Sequence, residues 1–143
     1  NLGDVIQVTR PVSEEAAAAA ARLRTDEDAE RMREFVGRID GHDTARDLIV
    51  AEVELARMIA RMSGNPVVEL VMEIGYSFGL DERDSDLYAD PARRARTRAM
   101  QRSLCSAIID GDEDIARLMM RRRSEQFDAW LRIGAAPGAR LWT

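Results

Sequence analysis

Residues 13–28 read SEEAAAAAARLRTDED and combine the body of one helix with the start of the next. The six alanines of Ala16–Ala21 strongly favour a helix, and their small side chains let neighbouring helices approach closely. Thr25 is a suitable N-cap residue, and the carboxylates of Asp26–Asp28 suit the positive end of a helix dipole. This stretch therefore predicts two helices joined by a short connection.

The rest of the chain shows further capped helices with short connections. Pro11 predicts that the first helix starts or kinks there, because proline lacks an amide hydrogen and disfavours helical geometry in the residue before it. Later boundaries are predicted at Gly41-His42, Ser63-Gly64-Asn65-Pro66, Asp90-Pro91 and Asp110-Gly111-Asp112. We predict an all-α fold, in which residues 1–143 form one antiparallel bundle of six to seven helices.

The sequence predicts which residues are buried and which are exposed in two segments of the second half of the chain. In the predicted fourth helix, the apolar residues recur at the spacing of a buried face. They are Val67, Leu70, Val71, Ile74 and Phe78. The acidic stretch Leu80–Ala89 is predicted to be a solvated loop, and a short tail is expected after Gly134.

Composition excludes several classes of protein. A single cysteine, Cys105, excludes an internal disulfide and a cysteine-rich zinc cluster, and it favours a reducing, cytoplasmic environment. No stretch is long and apolar enough to cross a membrane. The net charge of −5 argues against a nucleic-acid-binding surface on this chain. His42 is the only histidine, which excludes a histidine-rich metal site, and it is expected in a solvated turn.

Three predicted helices each place one polar residue on an otherwise apolar face: Glu52, Gln101 and Arg123. Leaving such groups buried and unpaired costs roughly several kcal/mol. Two interpretations follow from the residues alone. In the first, Glu52 and Arg123 form a closed pair that Gln101 completes, with no function. In the second, the three residues line a pocket in which Arg123 meets an anionic effector and Gln101 orients it.

In their order and spacing, the landmarks of the chain resemble the FCD class, the FadR C-terminal-like effector-binding domains of GntR-type bacterial transcription regulators. The matching pieces are Arg10-x-x-x-Glu14 with the alanine-rich helix, Glu52-Val-Glu-Leu-Ala56, Ser63-Gly64-Asn65-Pro66, Gln101–Asp112, and Ala116, Met120 and Arg123. The resemblance implies a homodimer that contacts DNA only through an N-terminal winged helix-turn-helix domain. That domain is expected in the full-length protein and is missing from this chain.

Many members of this class hold a divalent metal. The four ligand positions correspond here to Glu52, Ala56, Gln101 and Arg123, so that three histidines are replaced. A cation at this point would face the fixed charge of Arg123, and we predict no metal and no cofactor. The same positions surround the effector pocket of such domains. The resemblance therefore implies that Arg10, Glu52, Ala56, Gln101 and Arg123 bind the effector.

We predict a non-enzymatic domain that senses a small organic acid or acyl effector, which Arg123, Gln101 and Arg10 contact. The domain is expected to form a homodimer and to have no membrane partner. The alternative is a dimerisation module with a closed core and no effector. An enzyme or a cofactor-carrying bundle is disfavoured, because the sequence offers no pair of nucleophile and base, no paired inward carboxylates and no phosphate-binding loop.

Overall fold

The computed structural model describes residues 2–79 and 86–134 of the chain. These residues contain six α-helices and one short 3-10 helix, and they contain no strand. The helices are α1 (Leu2–Leu23), α2 (Asp26–Arg38), the 3-10 helix (Ile39–Gly41), α3 (Ala45–Met62), α4 (Pro66–Gly79), α5 (Pro91–Ile109) and α6 (Glu113–Gly134). The predicted all-α bundle is confirmed. In this described part, no helix is both long and apolar enough to cross a membrane.

The helix boundaries follow from local capping. The hydroxyl of Thr25 accepts a hydrogen bond from the amide of Asp28 at 3.0 Å, while the Asp28 carboxylate accepts one from the amide of Thr25 at 3.0 Å. This reciprocal pair satisfies two amides at the start of α2. At the starts of α3 and α5, the side chains of Thr44 and Asp90 each accept one hydrogen bond from an amide of the first turn. Gly64 ends the α3 turn with a φ of 69°, a conformation that favours glycine.

The first helix begins at Leu2 and continues through Pro11, so a helix start at Pro11, one of the two predicted alternatives, is wrong. A proline inside a helix costs about 3 kcal/mol, so tertiary contacts must offset it. On one side, a Cβ added to Gly75 of α4 would lie 3.2 Å from the Thr9 methyl group, which shows how closely α1 and α4 pack. On another, Arg10 donates a hydrogen bond of 2.9 Å to Glu125 of α6.

Helix α1 lies at the centre of the bundle and packs against α3, α4, α5 and α6. The alanine run supplies the close approach, since Ala17, Ala20 and Ala21 have no exposed surface. They pack in one large apolar core with side chains from the surrounding helices. Its largest members are Met32, Phe35, Ile39, Leu55, Ile59, Leu104, Ile108 and Met120.

A second, smaller apolar cluster corrects the prediction of a solvated loop over Leu80–Ala89. Leu87 and Tyr88 are buried there together with Leu48 and Trp130. The Tyr88 ring meets the Trp130 ring edge to face, with 6.2 Å between the centroids. The aromatic and aliphatic residues at the end of the acidic stretch therefore belong to the core. Residues 80–85 of that stretch, and the predicted tail after Gly134, lie outside the described residues.

The predicted buried face of α4 is also wrong. Val67, Leu70 and Ile74 are 66%, 62% and 48% exposed. The helix instead buries Met72, and it turns Gly75 toward α1. Because α4 packs mainly against α1 and α3, these two neighbours determine which of its two apolar faces is covered. The side chain of Phe78 lies outside the described part.

Candidate functional site

The three polar residues predicted on inward faces meet inside the bundle. Glu52 projects from α3, Gln101 from α5 and Arg123 from α6. One carboxylate oxygen of Glu52 accepts a hydrogen bond of 2.7 Å from the Gln101 amide nitrogen, and the other forms an ion pair with the Arg123 guanidinium. We call these three residues the polar triad. Three helices that are far apart in sequence are thereby connected at one point.

The orientation of the Gln101 side chain follows from its partner. An ionised carboxylate only accepts hydrogen bonds, so the amide nitrogen of Gln101 has to face Glu52. The amide oxygen then points elsewhere, and it has no hydrogen-bond partner among the residues that the structure describes. Gln101 has no exposed surface. A buried acceptor without a donor is rare in native proteins and is a point where a bound donor group stabilises the fold.

Cys105 lies one helical turn from Gln101 and is completely buried. Burial, with a smaller contribution from the charge of Glu52, raises the pKa of the Cys105 thiol to about 12. The thiol is therefore protonated at neutral pH, and Cys105 contributes a small apolar wall to the site instead of a nucleophile.

Ala56 lies one turn after Glu52 on α3 and is almost fully buried. Its methyl group forms part of the floor of a groove of about 210 Å³ between α3 and α4, in which Ala60 and Met72 also lie. The rim is charged, with Arg57 and Arg61 on α3 and Glu69 and Glu73 on α4. The sequence reasoning did not identify this groove. The sequence feature that indicates this groove is the pair Ala56 and Ala60, whose small side chains one turn apart leave a depression on one face of α3.

The triad does not fit a divalent cation. Glu52 is the one carboxylate at the four positions that correspond to metal ligands, and it is already paired with Arg123. A cation near that carboxylate would be repelled by the guanidinium. Within residues 2–79 and 86–134, no group of three or more histidine, cysteine, aspartate or glutamate side chains could hold a metal.

Arg10 lies in a different set of contacts from the triad. Its guanidinium bonds to Glu125 at 2.9 Å and lies 3.8 Å from Glu14, at one end of a row of ion pairs between α1 and α6. The other pairs of this row are Glu14–Arg121, Glu15–Arg117 and Arg22–Glu113. A hydrogen bond from Arg117 lowers the pKa of Glu15 within this row. Arg10 therefore helps to dock α1 on α6, while the structure brings Glu52, Gln101 and Arg123 together.

The predicted solvent exposure of His42 is wrong. The side chain is half-buried rather than solvated, with its ring centroid 6.3 Å from that of Phe35. Its carbonyl oxygen accepts a hydrogen bond of 3.0 Å from Arg98 of α5. The turn after the 3-10 helix is thus fastened to α5, which keeps α2 and α3 in position around the core.

In chemical terms, the triad is a neutral cluster with one cation, one anion and one amide. Glu52 is the more deeply buried partner of the ion pair, since its side chain is 9% exposed against 21% for Arg123. An anion can bind here only if it competes with the Glu52 carboxylate for the guanidinium. A guanidinium, a carboxylate and an amide can together bind a ligand that carries both an anionic group and a hydrogen-bond donor.

Comparison with known proteins agrees with this description. Residues 4–125 match the profile of the FCD domain. The fold is similar to that of Streptococcus agalactiae GntR, with a TM-score of 0.68 and 18% sequence identity. The similarity covers 87% of this chain and 56% of the other, so the chain spans little more than half of that GntR protein. No curated protein matches the chain. Its profile match over most of its length shows that the chain belongs to the FCD domain family of GntR-type regulators.

Proposed function

We propose that this chain is the effector-sensing and dimerisation domain of a GntR-type transcription regulator, with a small organic acid or acyl compound as its effector. The observation that carries the proposal is the polar triad, because three polar side chains from three helices converge within an apolar core. DNA is contacted in this proposal by a winged helix-turn-helix domain of the same regulator. The domain itself catalyses no reaction.

The chemistry of the triad indicates which effector would bind. A carboxylate on the effector competes with Glu52 for the Arg123 guanidinium, whose partial exposure gives access from solvent. A hydroxyl or amide donor on the same molecule supplies a hydrogen bond to the Gln101 oxygen, which has no donor among residues 2–79 and 86–134. The triad therefore favours an organic acid that also carries a hydrogen-bond donor.

Binding at the triad affects the arrangement of the helices. When an anion displaces Glu52 from Arg123, the polar contact between α3 and α6 is lost, while the apolar contact through Leu48 and Trp130 stays. The two helices can then change their packing about this apolar contact. An effector shifts a regulator only by its difference in affinity for the two arrangements, typically about 1–3 kcal/mol. We infer that this change in helix packing is what the effector transmits to the dimer.

The dimerisation module without an effector remains the second candidate function. It is favoured by the fact that both carboxylate oxygens of Glu52 already have partners. A closed core of this kind binds no small molecule, so the two candidates differ in whether organic acids stabilise the protein.

The test is a thermal-denaturation screen of the chain against hydroxy and keto acids, together with native mass spectrometry for any copurified organic acid. The double variant Glu52→Leu with Arg123→Leu removes the site without leaving an unpaired buried charge. Arg121→Leu is the matched control, because Arg121 lies in the same arginine run but pairs with Glu14 at the surface. Stabilisation of the wild type and of Arg121→Leu, but not of the double variant, supports the effector site. Stabilisation that persists in the double variant contradicts it.

A further inference from the structure

Helix α4 presents an apolar surface that stays exposed among the residues that the structure describes. Val67, Leu70 and Ile74 point outward, and Val71 beside them is half-buried. We call these four residues the α4 stripe. Isolated exposed apolar residues are common, but contiguous apolar surface along one helix marks an interaction site.

The spacing of the α4 stripe is symmetric about the point between Leu70 and Val71. If a second copy packs its α4 antiparallel to the first, a two-fold axis through this point places Val67 opposite Ile74 of the second copy. The same axis places Leu70 beside its own counterpart. A two-fold interface requires a surface that is complementary to itself, and the α4 stripe meets this requirement.

The charged rim of the stripe fits a second copy as well. On the side toward α3, the rim carries two arginines and two glutamates: Arg57, Arg61, Glu69 and Glu73. Arg57 and Glu73 already pair, with a closest distance of 2.6 Å. On this side the rim therefore has no net charge, and two copies can meet along it without repulsion between like charges. A strongly charged partner such as a nucleic acid or an anionic membrane would find no complementary field here.

We propose that the α4 stripe is the homodimer interface of this domain, formed by antiparallel packing of α4 on α4 of a second copy. The inference rests on the proposed dimerisation function and adds the surface that carries it. It also connects the interface to the triad, because α3 carries Glu52 on one face and the Arg57 partner of Glu73 on another. A movement of α3 is thereby passed to the interface helix.

Disulfide cross-linking tests the predicted geometry directly. The native Cys105 is fully buried, so an introduced cysteine is the reactive thiol of the chain. With oxidised glutathione as the oxidant, Leu70→Cys should form a covalent dimer, because a disulfide requires Cα atoms about 4.4–6.8 Å apart. Val67→Cys alone should not form a covalent dimer. A mixture of Val67→Cys and Ile74→Cys should form a disulfide between the two different variants. Equal cross-linking of Leu70→Cys and of Val50→Cys on α3 overturns the proposal.

Sedimentation equilibrium separates this inference from the proposed function. We expect the wild-type chain to be a dimer and Leu70→Glu to weaken dimerisation at least a hundredfold, with an unchanged helical circular dichroism spectrum. Val50→Glu is the matched control, since Val50 is 58% exposed on α3 and lies outside the stripe. A Leu70→Glu protein that dimerises as well as the wild type overturns the interface but leaves the dimerisation function standing. A wild-type chain that is monomeric at all concentrations overturns both.

Discussion

Glu52 and Arg123 form an ion pair across the centre of the bundle although 71 residues separate them in the chain. The pair differs from the ion pairs between α1 and α6, because its carboxylate is buried and also holds Gln101. Exposed ion pairs contribute about 0–1 kcal/mol each, whereas breaking a buried pair leaves a charge without a partner. The consequences of mutation should therefore be much larger at the triad than in the surface row.

Removing one partner of the buried pair should destabilise the domain more than removing both. Arg123→Leu leaves the Glu52 carboxylate buried without its cation, and we expect a loss of about 3 kcal/mol in the free energy of unfolding. The double variant with Glu52→Leu should recover most of this loss, because no charge stays buried. Urea denaturation measures both values. The control, Arg121→Leu, should change stability by less than about 0.5 kcal/mol. Equal losses in the single and double variants would show that the pair is not coupled.

Glycine at position 111 should be required for the turn between α5 and α6. Its φ is 74°, and a Cβ there would overlap the Arg24 guanidinium, which donates a hydrogen bond of 2.6 Å to the Ile109 carbonyl. Gly111→Ala should therefore cost about 1–2 kcal/mol in thermal denaturation. Gly37→Ala is the opposite case, since Gly37 lies inside α2 with open space around it. That variant should gain about 0.5–1 kcal/mol, and a gain in both variants would refute the strain at Gly111.

The raised pKa of Cys105 should make the free energy of unfolding decrease at alkaline pH. The thiol has a pKa of about 12 in the folded chain against 9.0 for an ordinary thiol. Between these values the folded chain keeps a proton that the unfolded chain loses, so stability falls as the pH rises above about 9, by at most about 1.4 kcal/mol per pH unit. Cys105→Ala should remove this part of the slope in urea denaturation between pH 8 and 10.5. The same slope in both proteins would mean that the thiol titrates normally.

Helix boundaries could be predicted from the sequence because caps act locally. Thr25 with Asp28, and Gly111 after Ile109, each determine a boundary through contacts within a few residues. The buried face of α4 could not be predicted in this way. Both faces of α4 carry apolar residues, and the choice depends on where α1 and α3 lie, with Met72 covered and Leu70 left exposed.

The polar triad was partly predictable for a related reason. Helical periodicity places Glu52, Gln101 and Arg123 on inward faces, and burial then requires them to find partners. Periodicity alone left the closed pair and the effector pocket as open alternatives, and the structure adds that Gln101 donates to Glu52 and directs its oxygen away. The family resemblance groups Arg10 with these residues, whereas its ion pair with Glu125 depends on how α1 docks on α6.

Glu52→Gln should make the Arg123 guanidinium, which pairs with Glu52 in the wild type, a binding site for anions. The substitution keeps an oxygen that accepts from Gln101, but it removes the negative charge that Arg123 now pairs with. Loss of the Glu52 charge removes a counter-charge from the partly buried Arg123 guanidinium, so the variant should unfold more easily than the wild type at low salt. An anion that binds the folded chain should restore this stability through linkage.

The measurement is thermal denaturation of the Glu52→Gln variant in increasing concentrations of succinate, with sodium chloride of equal ionic strength as the reference. Glu54→Gln is the matched control, because Glu54 pairs with Arg38 at the surface of the same helix. We expect succinate to stabilise Glu52→Gln more than Glu54→Gln or the wild type, since only this variant removes the Glu52 charge beside Arg123. An equal response in all three proteins would mean that anions do not reach Arg123, and it would favour the closed dimerisation module over the effector sensor.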